Sequence, residues 1–473
     1  MRSRGPNYFI FSVSLVVALS VVVVFAVGLG VALGLGLDTP ATRVTLIPLL
    51  IASALGNQFW ALRFHDQTYL VGALILAVAV VLFVTVPGAG RTWALMIGGA
   101  VSLTLSALGV AEAWGKSPID IFDTQFAAAH ALINGHDPYG PTVPTVIHLI
   151  TGTVFTNAHF PYGPATVLLD VPGLLVGDLR LGYLVAVVLL VGATILAAPS
   201  GRIRDCTAAL CIPNPLLVAM VFYSYVDLFS MVGTALWLAL RQRSYPVAVL
   251  ALGVALATKP TIWFAVLPMA LCSRQLLKEI ATAIGIAAGM SIPFAIVAGP
   301  VAFLTDTFQK NSAVGIRPDA LTLEPFFAAH GVSISWPIIA IAPVLLTVAI
   351  AWWRRPQTVG EACTLGAFCC AGILLVAPSA YLNYYFIVAW MLLLSVALAG
   401  TPVGSDPRGY GHQAHRAAGR QDGSTEPTLL TMAGLDVGTM PWITSLASVK
   451  PKMTRLYASG LALGVRWARI KTV

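Results

Sequence analysis

Apolar runs long enough to cross a bilayer recur along this chain. A single such run in lipid satisfies its backbone hydrogen bonds only by coiling into a helix. The early runs are Phe9–Gly36, Val44–Leu62, Tyr69–Val86 and Trp93–Trp114. After a polar interval come Ala165–Val176, Leu181–Ala198, Cys206–Phe222, Leu228–Leu240, Val247–Ala257, Ile262–Leu271, Ile280–Ala298, Ile338–Trp352, Leu365–Val376 and Tyr385–Leu398. Several are short enough to be tilted, re-entrant or fused, so about 12 to 14 transmembrane helices are expected. Composition points the same way: with 58% hydrophobic and 10% charged residues, a soluble globule would lack polar surface. The expected fold class is all-α, a polytopic integral membrane protein with interfacial juxtamembrane helices.

The first run is too long for the apolar core of a signal peptide and no small-residue cleavage site follows, so it reads as a retained span. Cys206, Cys211, Cys272, Cys363, Cys369 and Cys370 all fall in or beside apolar segments. They read as packing residues, without a disulfide framework or metal site. The net charge of +8 reflects topology and not nucleic-acid binding, because the basic residues gather in short loops. Those loops, at Arg202/Arg204, Arg241/Arg243, Arg274/Lys278 and Arg354/Arg355, are expected in the cytoplasm. Two long polar intervals, 115–160 and 300–334, are poor in Lys and Arg and are expected on the opposite side. Simple parity disagrees, since a cytoplasmic Arg2/Arg4 terminus followed by four spans would put the first interval inside. Beyond residue 400 the chain turns polar and glycine-rich, which reads as a basic disordered tail over 401–473. Within it, Tyr457–Ile470 has the pattern of a basic amphipathic helix on anionic lipid, with a solvated tail as the alternative.

The first interval contains two related phrases, "NGHDPYG" (134–140) and "HFPYGP" (159–164). Phe126, His130 and Ile133 recur at helical spacing, predicting an amphipathic helix along the membrane surface that Gly135 stops. Asp137-Pro138-Tyr139-Gly140 has the residues of a turn. Thr145–Phe155 is expected to form a second interfacial helix opened by Pro144. The two Pro-Tyr-Gly turns would then fold a juxtamembrane platform back on itself. Asp120 and Asp123 stand where the fourth span leaves the bilayer. A carboxylate facing a cavity there can act as a general base toward a hydroxyl, and a helix cap or an ordinary interfacial acid is the alternative. The second interval carries Lys310, Arg317, Asp319 and Glu324. Arginine suits bidentate phosphate binding and lysine a looser contact, whereas Arg317-Pro318-Asp319 also fits a salt-bridged turn.

Asp170, Asp227, Lys259 and Glu361 are ionisable groups within apolar surroundings, which makes each a functional candidate. Lys259-Pro260 is the most pointed, because the proline interrupts a helix and leaves carbonyls to be satisfied where a cation sits. A lysine snorkelling from a span end is the alternative. His130, His136, His148 and His159 do not have metal-ligand spacing, so neither metal nor other cofactor is expected.

The succession "IDIFDTQFAAAHALINGHDPY", "FPYGPATVLL", "NPLL", "ALGVALATKP", "GIRPDALTL" and "YLNYYF" over about residues 115–400 resembles the polyprenyl-phosphate-sugar-dependent glycosyltransferases of the GT-C superfold. Actinobacterial members related to families 87 and 39 resemble it most. Many members carry their acidic loop after a single span, whereas about four precede it here. The resemblance divides the chain into amino-terminal transmembrane helices (1–114), a GT-C-like catalytic membrane domain (115–400) and the tail. It implies a catalytic Asp in the first large extracytoplasmic loop, for which Asp120 is the match and Asp123 the reserve, with Gln125 downstream. It also implies that Tyr139 and Tyr162, with His136 and Asp137 in the adjoining turn, shape a sugar pocket. Lys259, Lys310, Arg317, Asp319 and the run Asn383-Tyr384-Tyr385 would surround the lipid phosphate or the cavity mouth.

The implied reaction transfers a sugar, mannose by the resemblance and arabinofuranose next, from a polyprenyl phosphate to an extracytoplasmic lipid-linked glycan, with inversion. The implied partners are that donor, the glycan acceptor and membrane lipids, in a multi-pass cell-membrane protein. The rival class is a transporter or lipid flippase, which predicts inverted repeats that the sequence does not display.

Overall fold

The computed structural model describes residues 119–403 with short gaps, together with isolated positions between 97 and 114. The first three expected spans and the expected tail beyond residue 403 lie outside the described residues, and the fourth span is described only at isolated positions. What is described is mostly helix, and three helices are long and apolar enough to cross a membrane: Arg180–Ala197, Arg274–Ala298 and Val359–Val376.

The chain enters through α1 (Asp120–Ile133), amphipathic as its periodicity predicts, with Phe122, Gln125, Ala128 and Ala129 buried and Phe126 and His130 exposed. Gly135, at φ +72°, ends it, since a side chain there would be strained. The Asp137–Gly140 turn follows, closed by the Gly140 amide donating to the Asp137 carbonyl at 3.2 Å and by Tyr139 N–H donating to the Asp137 carboxylate at 3.0 Å.

The expected second interfacial helix is not formed. Thr142–Leu149 (β1) and Gly152–His159 (β2) instead make an antiparallel hairpin, Thr142 opposite His159 and Val146 opposite Phe155. The reason lies in side-chain branching. β-Branched and aromatic residues fill half or more of each segment (Thr142, Val143, Thr145, Val146 and Ile147 in β1; Thr153, Val154, Phe155 and Thr156 in β2), lose rotamer freedom in a helix and pack well on a pleated strand. Pro144 is tolerated because both strands of a two-stranded sheet are edges.

Twelve further helices follow among the described residues. They are α2 (Pro164–Val176), α3 (Arg180–Ala197), α4 (Leu216–Phe222), α5 (Asp227–Leu240), α6 (Tyr245–Leu256) and α7 (Thr261–Val266), which runs into a 3-10 turn at Leu267–Leu271. Then come α8 (Arg274–Ala298), α9 (Pro300–Leu304), α10 (Glu324–Ala329) and α11 (Trp336–Arg354). Two more, α12 (Val359–Val376) and α13 (Leu382–Ala397), complete the described chain. Apart from Cys206–Phe222, of which only α4 and isolated residues are described, the apolar runs from residue 165 onward coincide with these helices to within a few residues, except that α8 and α12 each start six residues before the runs Ile280–Ala298 and Leu365–Val376. α12 is buried over most of its length and packs on α7, α11 and α13, while α5 packs on α3 and α6.

Small residues permit the closest crossings. A Cβ added at Gly366 of α12 would collide with the Ala265 carbonyl of α7, and one at Gly372 would lie 2.7 Å from Pro343 of α11. Such contacts let helices associate by dispersion where lipid removes the hydrophobic drive between them. The outer faces of α8 and α11 remain apolar and exposed, including Ile292, Ile296, Ile338, Leu345 and Trp352. Glu361 and Thr358 form a reciprocal cap at the start of α12, so this acid satisfies a helix terminus. Among the described cysteines, Cys211, Cys272, Cys363, Cys369 and Cys370 are free thiols.

Candidate active site

The site is organised by the interruption between α6 and α7. Pro260 lacks the N–H that would pair with the Leu256 carbonyl, which accepts the Trp263 indole N–H at 2.9 Å instead, and the helix end leaves the Ala257 and Thr258 carbonyls in need of donors in an apolar interior. The second Pro-Tyr-Gly turn supplies them. Gly163 N–H donates to the Thr258 carbonyl at 2.7 Å, Ala165 N–H to the Ala257 carbonyl at 3.1 Å and the Thr166 hydroxyl to the Thr258 carbonyl at 3.1 Å. Only glycine fits at 163, because a Cβ there would overlap the Ala257 carbonyl. The Tyr139 hydroxyl of the first turn donates to the Tyr162 carbonyl of the second at 2.9 Å, and its ring packs edge-on against Phe160 and Phe303. The two related phrases are therefore joined to each other, and the second is docked on the broken helix. Burial, with Asp137 next, pushes the Tyr139 phenol well above its ordinary pKa, so it remains a donor.

At the break, Lys259 Nζ donates to both Asp227 oxygens, at 2.9 and 2.8 Å, and Asn383 Nδ2 donates to the same carboxylate at 2.7 Å. Lys259 also lies 3.8 Å from the Tyr384 ring centre and 5.6 Å from that of Tyr162, so its charge is shared between one carboxylate and two aromatic faces. Tyr384 stands beside Tyr381, whose ring carries the Arg317 guanidinium at 4.8 Å. A chain of cations and rings thus runs from Arg317 through Tyr381, Tyr384 and Lys259 to Tyr162. Under it, the Ser230 and Thr258 hydroxyls share a 2.6 Å hydrogen bond.

Asp120 opens α1. It is exposed at the first position of α1, where Oδ1 accepts from the Ile121 N–H at 2.9 Å and Oδ2 accepts the Thr145 hydroxyl of the hairpin at 3.3 Å. Burial first, then Tyr384, Asp227, Asp120 and Tyr225, push the Tyr162 phenol well above its ordinary pKa. Asp123 lies half-buried in the first turn of α1.

Other expected residues take structural places. Gln125 is buried, donating to the Ser224 carbonyl at 2.9 Å and accepting the Tyr183 hydroxyl at 2.6 Å, which fastens α1 to α3 and to the turn before α5. Tyr385 faces the core and donates to the Leu321 carbonyl at 2.6 Å. His136 is exposed and Asp137 caps its own turn. Lys310 and Asp319 lie outside the described residues. Asp170 is fully buried near Tyr183, with neither oxygen in hydrogen-bonding geometry. Among the described residues no three His, Cys, Asp or Glu side chains gather as a metal-binding group.

Sequence reasoning missed the Ser230–Thr258 pair, Tyr381 and the buried Arg180–Asp178 bridge at 2.7 Å, whose guanidinium lies over Phe122. The aromatic cluster at Tyr381 was a usable signal, because it lies two residues before Asn383. Comparison with known protein families, with characterised proteins and with solved structures finds no match to this chain.

Proposed function

We propose that this protein is a multi-pass membrane glycosyltransferase that moves a sugar, mannose in the first instance, from a polyprenyl phosphate to an extracytoplasmic glycan acceptor. The observation that carries this reading is the buried Asp227–Lys259–Asn383 network at the helix break, with Lys259 over the Tyr384 and Tyr162 rings and a second cation, Arg317, over the neighbouring Tyr381 ring. A buried carboxylate–ammonium pair at a helix break, among helices with apolar outer faces, suits a donor with a charged head and a hydrocarbon tail. The broken helix supports a site at membrane depth, because non-helical backbone is tolerated there only beside protein or a cavity.

In the proposed reaction Asp120 accepts the proton of the acceptor hydroxyl. The hydroxyl oxygen forms a bond to the anomeric carbon while the bond from that carbon to the phosphate oxygen breaks, and the phosphate departs with the electron pair. Configuration inverts. Arg317 contacts the departing phosphate, while Lys259, already paired with Asp227, orients Tyr384 and Tyr162 and adds a field that favours the developing charge. The Thr145 hydroxyl holds Asp120 in place.

The Asp120→Asn variant, in membranes given radiolabelled polyprenyl-phosphate mannose, should lose roughly 100- to 10,000-fold in transfer, the scale of a general base. Its elution and helical signal should match the parent. Turnover near the parental rate removes Asp120 from this role, and Asp123→Asn in parallel decides between the two acids. The interrupted α6–α7 segment around a buried ion pair is also the construction of secondary transporters. That second reading predicts solute flux into proteoliposomes in the absence of any glycan acceptor.

A further inference from the structure

We infer that the side of the helix bundle where α8 starts and α11 stops holds the phosphate of an anionic phospholipid, with the acyl chains laid along α11. The inference rests on the chain spanning a membrane and is independent of sugar transfer. A cavity of about 500 Å³ opens at that side. Cys272 and Ser273, just before α8, form one wall, and Trp352, Arg355 and Gln357, at the end of α11 and beyond it, form the other.

Positive charge gathers here. Because one cavity joins the start of α8 to the end of α11, Arg274, Lys278, Arg354 and Arg355 share one side of the bundle. The Arg241–Glu279 pair, at 3.1 Å, brings the Arg241/Arg243 loop to the same side. Two acids nearby are already engaged, Glu279 by Arg241 and Glu361 by the Gln357 and Thr358 amides at 2.6 and 3.2 Å. Arg274, Lys278 and Arg355 are exposed and form no ion pair among the described residues. A guanidinium on a cavity wall in that field offers a planar fork to phosphate oxygens. Arg355 also stands against a backbone preference: it ends α11 in the left-handed conformation at φ +46°, where glycine is the ordinary residue.

The surface leading into the cavity selects a lipid over a free anion. Ile338, Ile341, Leu345, Val348 and Trp352 recur at helical spacing along α11, and all are exposed. The stripe runs roughly 21 Å at 1.5 Å per residue, longer than the ~15 Å of hydrocarbon in one leaflet. Trp352, at its end, is also a wall of the cavity. Trp353 beside it is exposed, with the Arg354 guanidinium 5.8 Å from its ring centre. Exposed tryptophans followed by arginines mark the level of lipid headgroups, and basic pockets between helix ends at that level suit anionic ones. A hydrocarbon track and a phosphate site are therefore continuous.

The test uses the full chain purified in detergent and native mass spectrometry. Dioleoyl phosphatidylglycerol, dioleoyl phosphatidylcholine and inorganic phosphate are titrated separately. Phosphatidylglycerol should bind at least about tenfold more tightly than phosphatidylcholine, since several cations near its headgroup each contribute. Arg355→Gly should weaken phosphatidylglycerol about fivefold, equivalent to about 1 kcal/mol, and leave phosphatidylcholine unchanged. Glycine suits φ +46°, so this variant should unfold no more readily than the parent, and its loss then reports the guanidinium and not the fold. Arg243→Gln, at a residue outside the cavity, should bind like the parent. Equal retention of the two lipids, or undiminished selectivity in Arg355→Gly, overturns the site. An equal loss in Arg243→Gln would assign the preference to diffuse charge, and displacement of the lipid by millimolar phosphate would assign it to a free anion; either overturns it. A doubled mass without lipid would give the face to a second copy of the chain and overturn it as well.

Discussion

Replacing Lys259 by methionine keeps the length of the side chain and removes its charge, which makes it a direct probe of the central network. The ammonium lies 2.8 Å from Asp227 Oδ2, and the two side chains are 3% and 0% exposed. At an effective dielectric of about 20, a pair at that distance attracts by roughly 6 kcal/mol, most of which offsets the desolvation of both ions. The variant retains the desolvated carboxylate with Asn383 as its remaining donor. The expected loss is therefore about 3–5 kcal/mol, the range measured when one partner of a buried pair is removed. Asp227→Asn/Lys259→Met removes both charges and should recover about 2 kcal/mol or more of that loss, a coupling typical of residues in contact. Reversible unfolding in mixed micelles with increasing SDS, followed by tryptophan fluorescence, measures each term. A Lys259→Met cost below about 1 kcal/mol, or a double variant no more stable than the single one, would refute the assignment of this pair as a desolvated and mutually dependent unit.

Four further outcomes are expected. Gly163→Ala should abolish stable folding or sugar transfer, because its Cβ would meet the Ala257 backbone. Gly289→Ala, with open space around it in α8, should raise stability by about 1 kcal/mol in the same denaturation series. Thr358→Ala, which removes one half of the α12 cap, should cost about 1 kcal/mol, while Gln at Glu361 should preserve most of it. Tyr139 ionises above its ordinary pKa when folded, so the unfolded chain releases its proton first. Stability should then be level below about pH 10 and fall above it, less steeply in Tyr139→Phe, as read from unfolding midpoints across pH.

The helices after residue 160 were legible because their causes are local. An apolar run, a proline at a start or a glycine at a stop acts on its own neighbours, and α1 ends at Gly135 for such a reason. The turn at Asp137–Gly140 was equally legible. The hairpin was readable in principle from its β-branched alternation, but Pro144 and a helical template for the whole platform pointed elsewhere.

Sequence alone determined the apolar helices after residue 160, where the two Pro-Tyr-Gly turns fall and which acids and lysines are costly in apolar surroundings. Tertiary structure alone decided their partners: Asp227 with Lys259 and, 156 positions away in the chain, with Asn383. It also placed the second turn against the carbonyls left free at the end of α6 and recruited Gln125 and Tyr385 to hold helices in place. Helical propensity depends on neighbours a few residues apart, whereas ion pairing and carbonyl rescue depend on which distant surfaces packing brings within 3 Å, the scale of a hydrogen bond.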